Sequence, residues 1–281
     1  MTSETSTSGL AGQPAELGGA QTALASLVTP ETGDPCGRAL PAGASGAAGV
    51  FGAREARVDR ESLRANAFVT SWSGGKDSCL ALDRAKRAGL EPVALFTMFT
   101  EGGERSRSHG LTHAVLRAQA ESLGLRLFTN NASWAEYEGV FVDAWREFRL
   151  RGISTGVFGD IDGDAHREWV LRICEEAGMR ALQPLWHEER RPLLEEFLER
   201  GYRAVVIAVR DGVLDRSFLG RVLDRELVAE LERLGVDPSG ENGEYHTVVT
   251  EGPLFRSPLH LAQGEASCRD GVWFLDVTPV A

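Results

Sequence analysis

Six consecutive residues, Ser73-Gly74-Gly75-Lys76-Asp77-Ser78, bring two glycines, a lysine, a carboxylate and two hydroxyls together. Before them runs the apolar Ala67-Phe68-Val69, read as a buried strand; after them Cys79 to Ala88, closed by Gly89, reads as a helix. A join of strand, glycine turn and helix aims backbone N–H groups and the positive end of a helix dipole at one spot, which suits a phosphate. Gly74 and Gly75 allow a sharp turn and a close approach to an anion. Lys76 adds a positive charge, and Ser73 and Ser78 add hydroxyl donors. The Walker pattern fails, because Asp77 follows Lys76 and Thr70 stands where its first glycine belongs, and the dinucleotide fingerprint fails too. The plain alternative is a glycine turn without a ligand.

Further candidates lie downstream. Gly159-Asp160-Ile161-Asp162-Gly163-Asp164 follows the short strand Thr155-Gly156-Val157-Phe158. Its oxygens suit Mg²⁺ or Ca²⁺, although the calcium-loop pattern is missing. The other reading is a polar turn with Asp164 capping the next helix. Glu241 and Glu244 stand in a glycine-rich acidic stretch, as site carboxylates or as solvated turn residues. His109 and His113 lie one helical turn apart, a spacing seen in zinc sites, but no third ligand is evident; His113 reads as a helix-surface residue.

The elements that must hold these groups alternate. Strands are expected at 66–72, 93–99, 125–128, 155–158, 181–186 and 204–209, with helices between them, which argues for an α/β fold with a doubly wound parallel sheet. Tyr137, Phe141, Ala144 and Phe148 share one side of a helix and read as core. After Val209 the pattern changes to a charged helix near 221–234, the glycine-rich stretch, and strand-like runs at 258–263 and 272–278 with Asp270-Gly271 as a hairpin signal. The expected division is a disordered low-complexity tail at 1–62, a nucleotide domain at 63–209 and a smaller substrate-facing lobe at 210–281. With a net charge of -11 and a pI near 5.1, a wide nucleic-acid surface is not expected. Cys36, Cys79, Cys174 and Cys268 form no C-x-x-C pair, as in a reducing compartment. No stretch reaches the ~18 uninterrupted apolar residues of a membrane span, and no secretory signal opens the chain. A cytoplasmic location is expected.

The six-residue loop resembles the pyrophosphate (PP) loop of the ATP pyrophosphatases, whose fold is that of the adenine nucleotide alpha hydrolases. With it stand His109-Gly110, Pro184-Leu185-Trp186, Leu219-Gly220-Arg221 and Gly240-Glu241-Asn242-Gly243-Glu244-Tyr245-His246-Thr247, in the order seen in the diphthine–ammonia ligase family. The resemblance covers roughly residues 66–255. It implies that ATP adenylates a carboxylate, releasing pyrophosphate, and that ammonia then displaces AMP to form an amide. It also implies that Ser73, Gly74, Gly75, Lys76, Asp77 and Ser78 hold the pyrophosphate, that His109 and Gly110 line the nucleotide pocket, and that Mg²⁺ bridges phosphate oxygens. Asp77 either holds that metal or orders the loop, and Asp160 is a second metal candidate. Lys76, Asp77, Glu241 and Glu244 are the expected catalytic residues, the glutamates positioning ammonium or taking its proton. The commoner signature reads Glu-Gly-Gly-Glu-Phe-Glu-Thr. Here Asn242 replaces a glycine and His246 a glutamate, a form similar to the bacterial branch. The family's acceptor is diphthine on elongation factor 2; bacteria are not expected to carry it, so a bacterial member takes another small molecule or protein. A hydrolase or tRNA-modifying enzyme of the same superfamily, or a non-catalytic ATP sensor, is the alternative.

Overall fold

The computed structural model describes residues 66–280; the expected tail at 1–62 lies outside them. Five parallel strands form the first sheet: β1 (Ala67–Ser71), β2 (Glu91–Phe99), β3 (Arg126–Asn131), β4 (Thr155–Val157) and β5 (Arg180–Leu182), in the order β3-β2-β1-β4-β5. Successive side chains of a strand point to opposite faces, so a sheet covered on both sides needs apolar residues at consecutive positions. β1 and β2 supply them. Phe68, Leu95 and Phe99 face one core with α1 (Lys76–Arg87) and α2 (His113–Leu123). Val69, Phe96 and Met98 face the other with α3 (Tyr137–Leu150) and α4 (Asp164–Glu176). Helices thus cover both faces, and the doubly wound reading holds. Of the alanines along α1, Ala81 and Ala85 are buried while Ala88 caps the helix in solvent.

A second sheet is antiparallel. Its strands are β6 (Arg203–Arg210), β7 (Tyr245–Glu251), β8 (His260–Arg269) and β9 (Val272–Val280), in the order β7-β6-β9-β8. This corrects one expectation. The run 204–209 does not extend the parallel sheet of a 63–209 unit; it is a central strand of the second sheet. The chain crosses between sheets through α5 (Arg190–Glu199), whose Leu193, Leu194 and Phe197 sit in the first core with Val206 and Val209 of β6 and Val248 and Val249 of β7. Between β6 and β7 lies α6 (Arg225–Arg233), where Asp224 accepts the Leu227 N–H at 2.8 Å and so satisfies a free donor of the first turn. The hairpin expected at Asp270-Gly271 is present, with φ of 51° and 75°, values that suit the twist of the strands it joins.

Candidate active site

The sheet order places β1 and β4 side by side with chain excursions departing in opposite directions, and a crevice opens there at the carboxyl ends of the strands. It is a cleft of about 660 Å³, lined by Ser73, Asp77 and Ser78 from the loop and α1, by Thr97 and Met98 of β2, and by Gly159 and Asp160 after β4. Its apolar wall is aromatic: Phe96, Phe141, Phe158 and Trp169. Arg107 closes one side, its guanidinium 4.1 Å from the Trp134 ring and 5.7 Å from that of Tyr137. Tyr137 and Phe141 therefore do two jobs, packing the core and walling the cleft.

α1 begins after Gly75 with no side chain of its own on its first N–H groups. The Ser73 and Ser78 hydroxyls meet at 3.0 Å, the Gly75 N–H donates to Ser73 Oγ at 3.2 Å, and the Ser78 hydroxyl donates to the Gly75 carbonyl at 3.1 Å. The Lys76 N–H is held from the other sheet, donating to Thr247 Oγ1 of β7 at 3.2 Å. Gln119 on α2, fully buried, receives the Trp72 indole N–H at 3.0 Å and donates to the carbonyls of Gly74 and Val249 at 2.9 and 2.8 Å. Gly74 has a φ of 83°, which glycine tolerates. A Cβ on Gly75 would strike the His109 imidazole, and one on Gly159 would come within 2.7 Å of the Ser78 nitrogen.

Behind the loop lies a second space of about 200 Å³, between the start of α1 and the 240–247 segment. Asp77 and His109 line both spaces. Lys76 lies here, 8% exposed, its Nζ 2.8 Å from Asp77 Oδ2 and 3.1 Å from Glu241 Oε1. Burial alone would push the lysine down, but Asp77 and Glu241 outweigh it and hold its pKa above the ordinary value. One cation cannot neutralise two carboxylates. Burial first, then the charge of Asp77, pushes Glu241 up to about 7 against the pull of Lys76. Opposite them the rings of His109 and His246 lie 4.6 Å apart. Burial, His246 and Lys76 hold His109 well below its usual range, and burial with Lys76 and Arg210 brings His246 down to about 4.

The expected site residues separate accordingly. Ser73, Gly74, Gly75, Lys76, Asp77, Ser78, His109 and Glu241 converge. Glu244 does not join them: its carboxylate takes the backbone and side-chain N–H groups of Asn242, both at 2.9 Å, and so shapes the turn. Gly110 lines neither space and packs against Phe274 of β9. Asp160 reaches the cleft but is engaged, accepting from Gln183 Nε2 and His166 Nδ1, each at 2.8 Å. Asp162 pairs with Arg190, which also holds Asp237, both at 2.5 Å; the acidic loop is tied down by an arginine. Among the described residues no three His, Cys, Asp or Glu side chains gather as a metal cage. A Mg²⁺ carried on phosphates asks for only one or two carboxylates, and Asp77, on the boundary of both spaces, fits that demand. His113 stacks on Phe99 with centroids 3.7 Å apart rather than standing in solvent. Sequence reasoning missed Gln119 and Arg107, which no local pattern marks because each acts through a partner distant in the chain; Thr247 closed the glycine-rich motif with no role of its own assigned.

Two family models match consecutive parts of the chain. The model of the diphthamide synthase N-terminal domain matches residues 67–181, and that of the diphthamide synthase C-terminal domain matches 189–278. A diphthine–ammonia ligase of Schizosaccharomyces pombe is 28% identical over 69% of this chain, which spans 36% of that protein's length. The ligases of Bos taurus and Homo sapiens are each 27% identical over 69% of this chain and 82% of their own. A solved structure titled as a predicted subunit of a tRNA methyltransferase from Methanocaldococcus jannaschii aligns at 16% identity over 66% of this chain and 97% of that one, with a TM-score of 0.35.

Proposed function

Since the chain belongs to the diphthamide synthase family, both of whose domain models it matches in order, we propose that it is an ATP-dependent amide-forming ligase: ATP activates a carboxylate as its adenylate, and ammonia converts that adenylate to an amide. The observation that carries the reading is the start of α1, where Asp77 lines both a nucleotide-sized cleft and a chamber in which Lys76 meets a proton-accepting carboxylate, Glu241.

The aromatic wall of the cleft suits a purine, and the loop at the N-terminus of α1 suits the phosphates. The acceptor carboxylate oxygen attacks the α-phosphorus, and the bond to the β-phosphate oxygen breaks. Lys76 and the N–H groups of the loop offset the charge that develops on the departing pyrophosphate. Mg²⁺ on the phosphates, with Asp77 as its protein ligand, supplies further charge neutralisation when bound. In the second half, Glu241 takes a proton from ammonium. The freed nitrogen lone pair forms the C–N bond, the C–O bond to AMP breaks with its electrons going to AMP, and the nitrogen sheds a second proton to solvent. A carboxylate poised near pH 7 suits that transfer.

The acceptor is a carboxylate. The relatives are named for diphthine; His246 in place of a carboxylate supports a different acceptor here. The free thiols of Cys79, Cys174 and Cys268 support a reducing compartment, hence the cytoplasm. No helix among the described residues is long and apolar enough to cross a membrane.

The test is the nucleotide product. Protein incubated with ATP, Mg²⁺, ammonium and a filtered cell extract as acceptor source is expected to yield AMP and pyrophosphate, and Lys76→Ala is expected to abolish both. ADP as the product would end the ligase reading.

A further inference from the structure

The ammonium head of Lys76 stands in surroundings that any small cation would take. Two carboxylates, Asp77 at 2.8 Å and Glu241 at 3.1 Å, hold it, and the face of Tyr245 lies 6.0 Å away. The Tyr245 ring and the backbone of Glu241 have anchors apart from the lysine. The Tyr245 hydroxyl donates to the Pro238 carbonyl at 2.6 Å, and the Glu241 N–H donates to Asp237 Oδ2 at 3.3 Å. The chamber of about 200 Å³ opens beside them, and its far wall, His109 and His246, carries no positive charge at neutral pH. His109 Nδ1 is enclosed there without a hydrogen-bond partner. Lys76 itself is on a flexible four-carbon stem at the start of the phosphate-facing helix. A triphosphate at that helix end offers Nζ more negative charge than one glutamate does. Two cations cannot share the place between Glu241 and Tyr245.

Resting on the ligase reading, we propose that Lys76 in the nucleotide-free protein holds the place of the ammonium substrate, and that ATP creates the ammonium site by drawing the lysine away. Binding is then ordered, nucleotide before ammonium. Asp77 turns to the phosphate-borne metal or stays; Glu241 and Tyr245 remain on the chamber side in both cases. The order has a chemical use, because ammonium is admitted only where an adenylate can form.

Thermal unfolding with ammonium chloride, against sodium and tetramethylammonium chloride at equal ionic strength, tests this. Wild type without nucleotide is expected to respond equally to all three salts. With α,β-methylene-ATP and Mg²⁺ present, ammonium at about five times its Kd is expected to add about 3 °C, and tetramethylammonium, too large for the place, nothing. Lys76→Ala is expected to gain the ammonium shift without nucleotide, and Glu241→Gln to lose it with nucleotide. An equal ammonium shift in wild type with and without nucleotide would overturn the proposal, as would no shift under any condition. Should Lys76→Ala fail to fold, the wild-type pair decides alone. No acceptor or turnover enters the measurement. An intact ammonium shift alongside ADP formation would therefore remove the ligase reading and leave the cation exchange, whereas AMP formation without the shift would do the reverse.

Discussion

Glu241 and His246 sit in one segment, and burial moves their protonation in opposite senses. Glu241, pushed up to about 7, keeps its proton longer folded than unfolded, so its contribution to stability is present at low pH and is lost as pH rises through 7. His246, brought down to about 4, is neutral when folded at pH values where the unfolded chain binds a proton. Its contribution rises with pH between about 4 and 6.5. Glu241→Gln is therefore expected to steepen the gain in stability over that interval, and His246→Asn to flatten it; urea titrations at a series of pH values check both. In turnover, Glu241→Gln is expected to lower the amide-forming rate by about 10²–10⁴ with ATP binding retained, read by single-turnover kinetics beside nucleotide titration. Glu244→Ala should instead release Asn242, lowering stability by about 1–2 kcal/mol, with a smaller loss of rate than Glu241→Gln. The sequence marked both glutamates equally. Only the fold separates them, because one faces Lys76 and the other its own turn.

At the scale of elements, the loop and the start of α1 were legible because their cause is local: an apolar run, two glycines and a helical stretch. β7 was not. Tyr245–Glu251 follows directly on Gly240–Gly243, and the turn chemistry masked the strand behind it. Thr247 and Gln119 fix the loop from β7 and α2 across 171 and 45 residues; Gln119 carries no sequence signal, and Thr247 closed the glycine-rich motif with no role assigned to it. Two substitutions test the support. Gly75→Ala is expected to displace His109 and weaken nucleotide binding about tenfold or more while the protein stays folded, measured by calorimetric titration with α,β-methylene-ATP. Gln119→Leu would leave the Trp72 indole and the Val249 carbonyl without this partner in a dry interior, and is expected to cost about 2–4 kcal/mol in chemical denaturation.

At the scale of the molecule, the buried run Ala204–Val209 was assigned to the wrong sheet for a physical reason. A strand enclosed on both faces reads alike whether its neighbours run parallel or antiparallel, and pairing direction is set by segments far along the chain. The two sheets nonetheless share one core, in which Leu80, Phe197, Val206 and Val248 belong together. An ionic lock joins them as well: Asp83 of α1, 1% exposed, accepts from Arg200 Nη2 at 3.0 Å, the Tyr202 hydroxyl at 3.0 Å and Arg87 Nε at 2.9 Å. A single calorimetric transition is expected, and Asp83→Ala should lower stability by about 1–3 kcal/mol without splitting it, since it leaves the buried Tyr202 hydroxyl without this partner and two partly exposed arginines short of one.

The hydroxyl of Thr247 on the Lys76 N–H bears on how such chains can be recombined. The two family models meet between residues 181 and 189, and a crossover there would look neutral, falling between elements. Yet the first donor of α1 is held from the far side of that seam, as are one carboxylate on Lys76 and one carbonyl on Gln119. A hybrid of two relatives joined at the seam would therefore inherit a loop from one parent and its keeper from the other. Exchange succeeds only when residues 73–78, 119 and 241–249 travel as a set, however far apart the chain writes them.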